Sequence, residues 1–583
     1  MAIAGTLAAS LLTMTACDLL GSDGDGADST GGSGAGSNGS GPDGSSNGQG
    51  EPAALTATLA TASEGTAVIP GDSVAELAAG TTQRLFESAP VVVLAADDEA
   101  SAVRAASAAV ALGVPVVIDG DRAAEEVDRL GADVALAIGP VDDPGIDVVV
   151  PADDEDLARL LGIEAEAVTV DSSEAARTLA EMDPNSPQLL VLSGAADVPA
   201  PGDGAEQTGD DAAQTEDGAG STAAPLTSDR DELPSTSRPA EASTVTVLST
   251  GATSDVAALG VARAAGATVL VESLGDPRAT SDTVQALADD ESTSILGLGD
   301  VFGDDDSLGW KVATARTGVE LPGGGQLALP GKTYIALYGT PSTPSLGVLG
   351  EQPIEQTITR AEEHAGWYEP LTDETVIPTL EIIATVASAG PGADGNYSNE
   401  LPMSELRPLI DLAAEHDMYV VLDLQPGRND FLTQAKRYEE LLLLPHVGLA
   451  LDPEWRLRPD QVHLQQIGTV SVEEVNEVIT WLADLTRDND LPQKVLVLHM
   501  FQLRMIPEVD TVDQSREELA VLIHADGQGA QPDKQATWRA LHDYAPSIKY
   551  WGWKNFYDED TPMLSAEETM TYVDPLPDFV SYQ

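Results

Sequence analysis

Short apolar runs recur along this chain, and between most of them lies a stretch of helical length. In the first half, Val91-Val92-Val93-Leu94 is followed by an Ala-rich stretch, then Gly113-Val114-Pro115-Val116-Val117-Ile118, then Ala135-Leu136-Ala137-Ile138-Gly139. The same order returns in Val245-Thr246-Val247-Leu248, a second Ala-rich stretch, Gly266-Ala267-Thr268-Val269-Leu270-Val271, and Ile295-Leu296-Gly297-Leu298-Gly299. Unbroken apolar runs of this length suit strands buried on both faces, and each gap has room for one crossover helix. The pattern predicts a repeated βαβαβ layout with parallel strands and right-handed connections. Further strands at Val148–Val150 and Leu189–Leu192 would complete one sheet or link two.

Beyond Leu321-Pro322-Gly323-Gly324-Gly325 the rhythm continues with different residues. Runs at Tyr334–Leu337, Leu380–Val386, Tyr419–Leu422, Val447–Leu451, Val495–Leu498, Leu519–Ile523 and Ile548–Trp551 alternate with helical stretches. Seven such units in about 250 residues predict a (β/α) barrel, its eighth strand absent or unread. The fold class is therefore α/β: a repeat-built, Rossmann-like parallel-sheet region over 53–320, then a (β/α)8-type barrel over 331–583. Two polar stretches interrupt the pattern. Residues 18–52 and 199–243 hold too little apolar surface to bury and predict a flexible spacer and a disordered insertion.

Composition sharpens this division. All seven histidines and 21 of the 24 aromatic residues lie beyond residue 330, so the groups that titrate and stack are concentrated in the barrel. The chain has 97 acidic and 28 basic residues, a net charge of −69, which excludes bulk attraction to nucleic acid or anionic lipid. One cysteine permits no internal disulfide. It is Cys17, at the end of an apolar run from Ala4 to Ala16 that is too short to span a bilayer but suits a signal segment. Met14-Thr15-Ala16-Cys17 resembles a bacterial lipobox. The resemblance implies removal of residues before Cys17, lipidation of its thiol, and anchoring to the outer face of the cell membrane, where two acyl chains hold stably. No Lys or Arg precedes the run, so translation is expected to begin upstream of Met1.

The repeated order of the first half, with Arg129-Leu130-Gly131-Ala132 closing the second helix of the first copy, resembles the cell-wall-binding repeat type 2 of Gram-positive surface proteins. That resemblance implies a wall polymer as partner; a generic Rossmann-like pair would have the same strand order. No G-x-G-x-x-G or G-x-x-x-x-G-K-[ST] follows the first strand of either copy, and no cofactor is expected.

In the barrel, polar groups follow one apolar run after another. Tyr338 follows the first, Asp423 and Gln425 the third, and Asp452, Glu454 and Trp455 the fourth. His499 and Gln502 follow the fifth, His524 and Asp526 the sixth, and Trp553, Lys554 and Asp558 the seventh. Strand ends are where this fold places its chemistry. In an extended chain Asp452 and Glu454 point to one side, and two carboxylates held together separate into an acid and an ion. Glycoside hydrolysis needs such a pair, with aromatics such as Trp455, Trp551 and Trp553 to stack on sugars. The same Asp-Pro-Glu could equally start a loop or cap a helix. Leu451-Asp452-Pro453-Glu454-Trp455 resembles the end of the chitinase-like D-x-x-D-x-D-x-E motif, and lysozyme-like barrels are a similar partial match. Ala450 and Val447 stand in place of the other two aspartates. The resemblance implies an acid role for Glu454 and an orienting role for Asp452, with Asp423 assisting; the remaining strand-end groups would bind substrate.

Other readings stay open. A barrel that binds sugar without turnover fits the missing aspartates. A metal-dependent hydrolase would draw on Asp423, His499, His524 and Asp526, although neither H-x-H on the first strand nor H-E-x-x-H occurs, and no metal is expected. A Schiff base at Lys554 has no supporting motif, and no G-x-S-x-G marks a serine nucleophile in this half. The favoured expectation is a protein anchored outside the cell membrane that binds a cell-envelope polysaccharide or peptidoglycan and hydrolyses it.

Overall fold

The structure, a computed structural model, describes residues 54–195, 226–239 and 244–583. Cys17, the spacer 18–52 and most of 199–243 lie outside the described residues. Among the described residues no helix is long and apolar enough to cross a membrane.

The repeated pattern folds as two four-stranded parallel sheets with matching strand order. In one, Val116–Ile118, Val91–Ala95, Val134–Ile138 and Asp147–Val149 lie side by side; in the other, Thr268–Val271, Val245–Ser249, Ser294–Leu298 and Gly65–Ile69. The strand expected at Val148–Val150 thus joins the first sheet. The equivalent edge of the second sheet is filled by Gly65–Ile69, a segment that precedes the first copy in sequence. After Leu298 the chain leaves for the helix Asp305–Ala315, and the earlier segment occupies the vacant edge. Leu190–Leu192 completes neither sheet and pairs in parallel with Val168–Val170. The Ala-rich helices Glu99–Leu112 and Val256–Ala264 are buried almost all round and pack closely on each other. A β-carbon at Gly260 would lie 2.5 Å from the Ala106 α-carbon, so only glycine permits this approach. Residues 226–239, within the segment composition reads as an insertion, have definite partners. Thr236–Ser237 pairs with Leu55–Thr56, and Arg238 Nη2 donates to Val110 O at 2.7 Å.

The second half is a closed barrel of eight parallel strands: β1 Lys332–Gly339, β2 Thr375–Ala387, β3 Tyr419–Leu424, β4 Val447–Leu451, β5 Lys494–Met500, β6 Leu519–Ala525, β7 Tyr550–Asn555 and β8 Phe579–Tyr582. Each pairs with the next, and β8 pairs back to β1. The eighth strand is only four residues long and follows Pro575 and Pro577, so its apolar signal is too brief to read. β7 runs later than the expected Ile548–Trp551, because Pro546-Ser547 holds the chain in a turn and Lys554 belongs to the strand.

Alternation along each strand sorts side chains into two cores. Outward residues such as Leu337, Leu380, Leu422, Leu449, Leu496, Ile523, Trp551 and Trp553 pack beneath the helices. Inward residues fill the barrel: Tyr334, Tyr419 and Phe579 low down, and Ala336, Val421, Ala450, Val497 and Leu522 with them. Leu321, Ala328 and Leu329, from the segment before β1, belong to this inner core, and Tyr334 Oη donates to Ala328 O at 2.9 Å.

Candidate active site at the barrel mouth

Toward the mouth, every strand or its immediate end contributes a polar residue to the barrel interior. Going round the barrel these are Tyr338, Glu381, Asp423, Asp452 just past β4, His499, His524, Lys554 and Ser581, and all are buried. Their contacts show that they share the interior, because partners come from strands that are not neighbours. Tyr338 on β1 donates to Asp423 Oδ2 on β3 at 2.8 Å. His499 on β5 meets Glu381 on β2, Nε2 to Oε1 at 2.7 Å. His524 Nε2 on β6 lies 3.1 Å from Ser581 Oγ on β8. The Lys554 ammonium on β7 stands 3.3 Å from the Tyr338 ring centroid.

His499 is the hub. Its Nδ1 lies 3.1 Å from Asp526 Oδ2 and 3.3 Å from His524 Nδ1. Burial alone would strip its proton, but the charges of Glu381 and Asp526 and the hydrogen bonds to both outweigh this and hold its pKa well above the ordinary value. His524 is driven the other way, by burial first and then by the positive charges of His499 and Lys554. Burial would raise Asp526, yet the hydrogen bond and charge of His499 bring it below the usual aspartate value.

Asp423, Asp452 and Glu454 are shifted upward. Burial, with Glu381 adding to it, pushes Asp423 up to about 6 against the pull of His499. Burial and then the charge of Asp423 hold Asp452 well above its ordinary value. Glu454 is only partly buried and is raised to about 7, by burial first and then by Asp526. The chain does not stay extended between these two. Pro453–Trp455 is a turn of 3₁₀ helix, and Asp452 Oδ1 accepts from the Glu454 backbone N–H at 3.1 Å. Asp452 therefore fixes the turn that presents Glu454, and the same-side argument from strand spacing does not apply. Gly468 lets the next loop cross this turn, since a β-carbon there would lie 2.3 Å from Pro453 O.

Of the residues singled out from the sequence, Tyr338, Asp423, Asp452, Glu454, His499, His524, Asp526 and Lys554 come together at this mouth. Gln425 borders it: Oε1 accepts from Ala387 N at 2.9 Å, and Nε2 reaches Tyr338 Oη at 3.4 Å. Trp455 sits beside Glu454, half-buried against the His463 ring, 5.3 Å between centroids. Four others lie elsewhere. Trp553 faces outward, buried against Trp538, so it offers no sugar platform; Trp551 is on the same outer face. Asp558 is exposed in the turn after β7. Gln502 is half-buried in the loop after β5, where Oε1 accepts from Arg504 Nε at 2.8 Å. Glu381 and Ser581 escaped sequence reading. Glu381 is the one charged residue in β2, and a carboxylate inside a strand buried on both faces was the available signal. Ser581 lies in the unread eighth strand.

Fold and site together define the class: a parallel β/α barrel with a buried ionisable cluster at the strand ends where enzymes of this architecture do their chemistry. No family model and no curated relative matches the chain. Among solved structures it is similar to Cwp6 from Clostridium difficile, at TM-score 0.31 and 11% identity over 62% of this chain and 63% of that one. It is similar also to the xylanase-α-amylase inhibitor protein XAIP-I in complex with trehalose, at TM-score 0.29 and 14% identity over 43% of this chain and 92% of that one. A third is Cwp8 from Clostridium difficile, at TM-score 0.26 and 10% identity over 44% and 52%. The chain thus spans less than two thirds of Cwp6 and about half of Cwp8.

Proposed function

We propose that this is a membrane-anchored extracytoplasmic glycoside hydrolase that binds a cell-envelope glycan through its N-terminal repeats and cleaves it at the barrel mouth. The observation that carries the reading is Glu454: a carboxyl partly open to the mouth, raised to about 7, facing the ionised Asp526. A general acid works best with a pKa near the working pH, and two carboxyls whose surroundings drive them apart divide the acid and anion roles. Glu454 protonates the leaving oxygen. Asp526 supplies the negative charge, Asp452 orients the acid through its backbone N–H, and Asp423 with Tyr338 stabilises charge developing on the sugar. Trp455, half-buried beside the acid, offers a face for a ring. The resemblance of the repeated motif, with its Arg129-Leu130-Gly131-Ala132, to wall-binding repeats and the lipobox-like Met14–Cys17 support the wall-binding and anchoring parts.

The test is to incubate the full chain with purified envelope glycans and count new reducing ends for wild type and Glu454→Gln. Wild-type release is expected to fall at least ~100-fold in the variant. Because the acid must carry its proton, activity should decline as pH rises through about 7. Binding without release by wild type would make the barrel a sugar-binding scaffold, and release unchanged in the variant would place the acid on another carboxyl.

A further inference from the structure

Three buried carboxylate oxygens at the mouth have no hydrogen-bond partner: Glu381 Oε2, Asp423 Oδ1 and Asp526 Oδ1. Carboxyl oxygens left without a partner in a dry interior are costly, and three in one cluster call for a positive partner. Lys554 turns its ammonium to the Tyr338 ring instead, and His499 has two ring nitrogens for carboxylates on three sides.

The geometry points to a divalent transition-metal site held by Glu381, His499 and His524, with Asp423 as a fourth ligand. The donor atoms of Glu381, His499 and His524 lie within 4.8 Å of one another, against the roughly 3–4 Å that separates neighbouring ligands around an ion bound at about 2.1 Å. Small side-chain rotations close the difference. Asp423 Oδ1, unpartnered, stands 4.0 Å from His499 Nε2. Each histidine also has the outer partner that a metal-bound imidazole requires. Asp526 Oδ2 lies against His499 Nδ1, which leaves Nε2 to the ion; Ser581 Oγ lies against His524 Nε2, which leaves Nδ1, 3.3 Å from His499 Nδ1, to turn to the ion. Two imidazoles and two carboxylates suit Zn²⁺ or Mn²⁺. Without metal, His499 Nε2 lies 2.7 Å from Glu381 Oε1, and the ion would sit between the two.

This inference does not rest on the hydrolase reading, because metal retention is measured without substrate. Full-length protein is stripped with chelator, exposed to Zn²⁺ or Mn²⁺ at tens of micromolar, passed through a desalting column and assayed for metal by mass spectrometry. Wild type is expected to retain about one equivalent. Glu381→Gln and His524→Asn should each weaken retention at least tenfold, and His416→Gln, at an exposed histidine, should retain wild-type metal. Near-UV circular dichroism selects the folded variants, and either mouth variant alone decides the matter. Retention below a tenth of an equivalent by wild type, undiminished retention in a folded mouth variant, or loss in His416→Gln would each overturn the site.

Discussion

A carboxyl such as Asp423 is kept at the mouth against its own contribution to stability. It is fully buried and lifted from an ordinary 3.8 to about 6, so the folded state holds its proton over a range where the unfolded chain has released it. Stability tied to that proton is complete below about 4 and is lost as pH rises through about 6. Asp423→Asn removes the penalty while its amide oxygen can still accept from Tyr338. With chelator present, the variant should unfold at higher denaturant than wild type at pH 8, by roughly 1–3 kcal/mol. The gap should close below pH 4; equal stability at pH 8 would show that the mouth is wetter than its burial indicates. Trading stability for a charged cluster in this way is what a working site does and a packing core avoids.

At the level of the strand, a shift of one residue decides between chemistry and packing. Lys554 and Trp553 are neighbours on β7, yet one faces the cluster and the other lies under the helix Gln531–Tyr544 with Trp538. Trp553→Ala is therefore expected to cost about 3–5 kcal/mol of unfolding free energy, as other buried aromatic truncations do, with no change in glycan affinity for the folded fraction. Trp455→Ala should show the reverse, weakened glycan binding with near wild-type stability. Reading both by chemical denaturation and by glycan pull-down separates the two roles. If Trp553→Ala alone weakened binding, the assignment of inner and outer faces would be wrong.

For the whole molecule, the barrel depends on the chain that leads into it. Leu321, Ala328 and Leu329 sit in its inner core, and Gln493 Oε1, just before β5, accepts from Ala328 N at 3.0 Å. From the repeat region, Lys311 reaches Glu517 at 2.7 Å, and Arg278 stacks on Trp310 while donating to Asp276. A fragment beginning at Gly331 loses two buried leucines, worth roughly 3–6 kcal/mol together, and should melt well below one beginning at Arg316. Coincident thermal unfolding of the two fragments would show that the segment before β1 is dispensable. Assays of the mouth are for this reason best made on the full chain.

Much of this architecture was legible in order and spacing. Apolar runs of strand length separated by helical stretches gave both the repeats and the barrel, because burial on both faces demands continuous hydrophobicity whatever the neighbours are. The concentration of histidines and aromatics beyond residue 330 located the cluster on the correct half. Long-range partnership was not legible. Gly65–Ile69 precedes the first repeat yet completes the second sheet, and a strand's own residues do not say which open edge it will reach. Pro453 turns Glu454 away from the path of a strand, so carboxyls paired by spacing in sequence became a turn cap and the carboxyl that the turn presents. Glu381 and His499 stand 118 residues apart and meet only because the barrel closes. Period-two alternation divides each strand into two faces, but curvature alone makes one of them the inside, and only there do eight separate strand ends become one site.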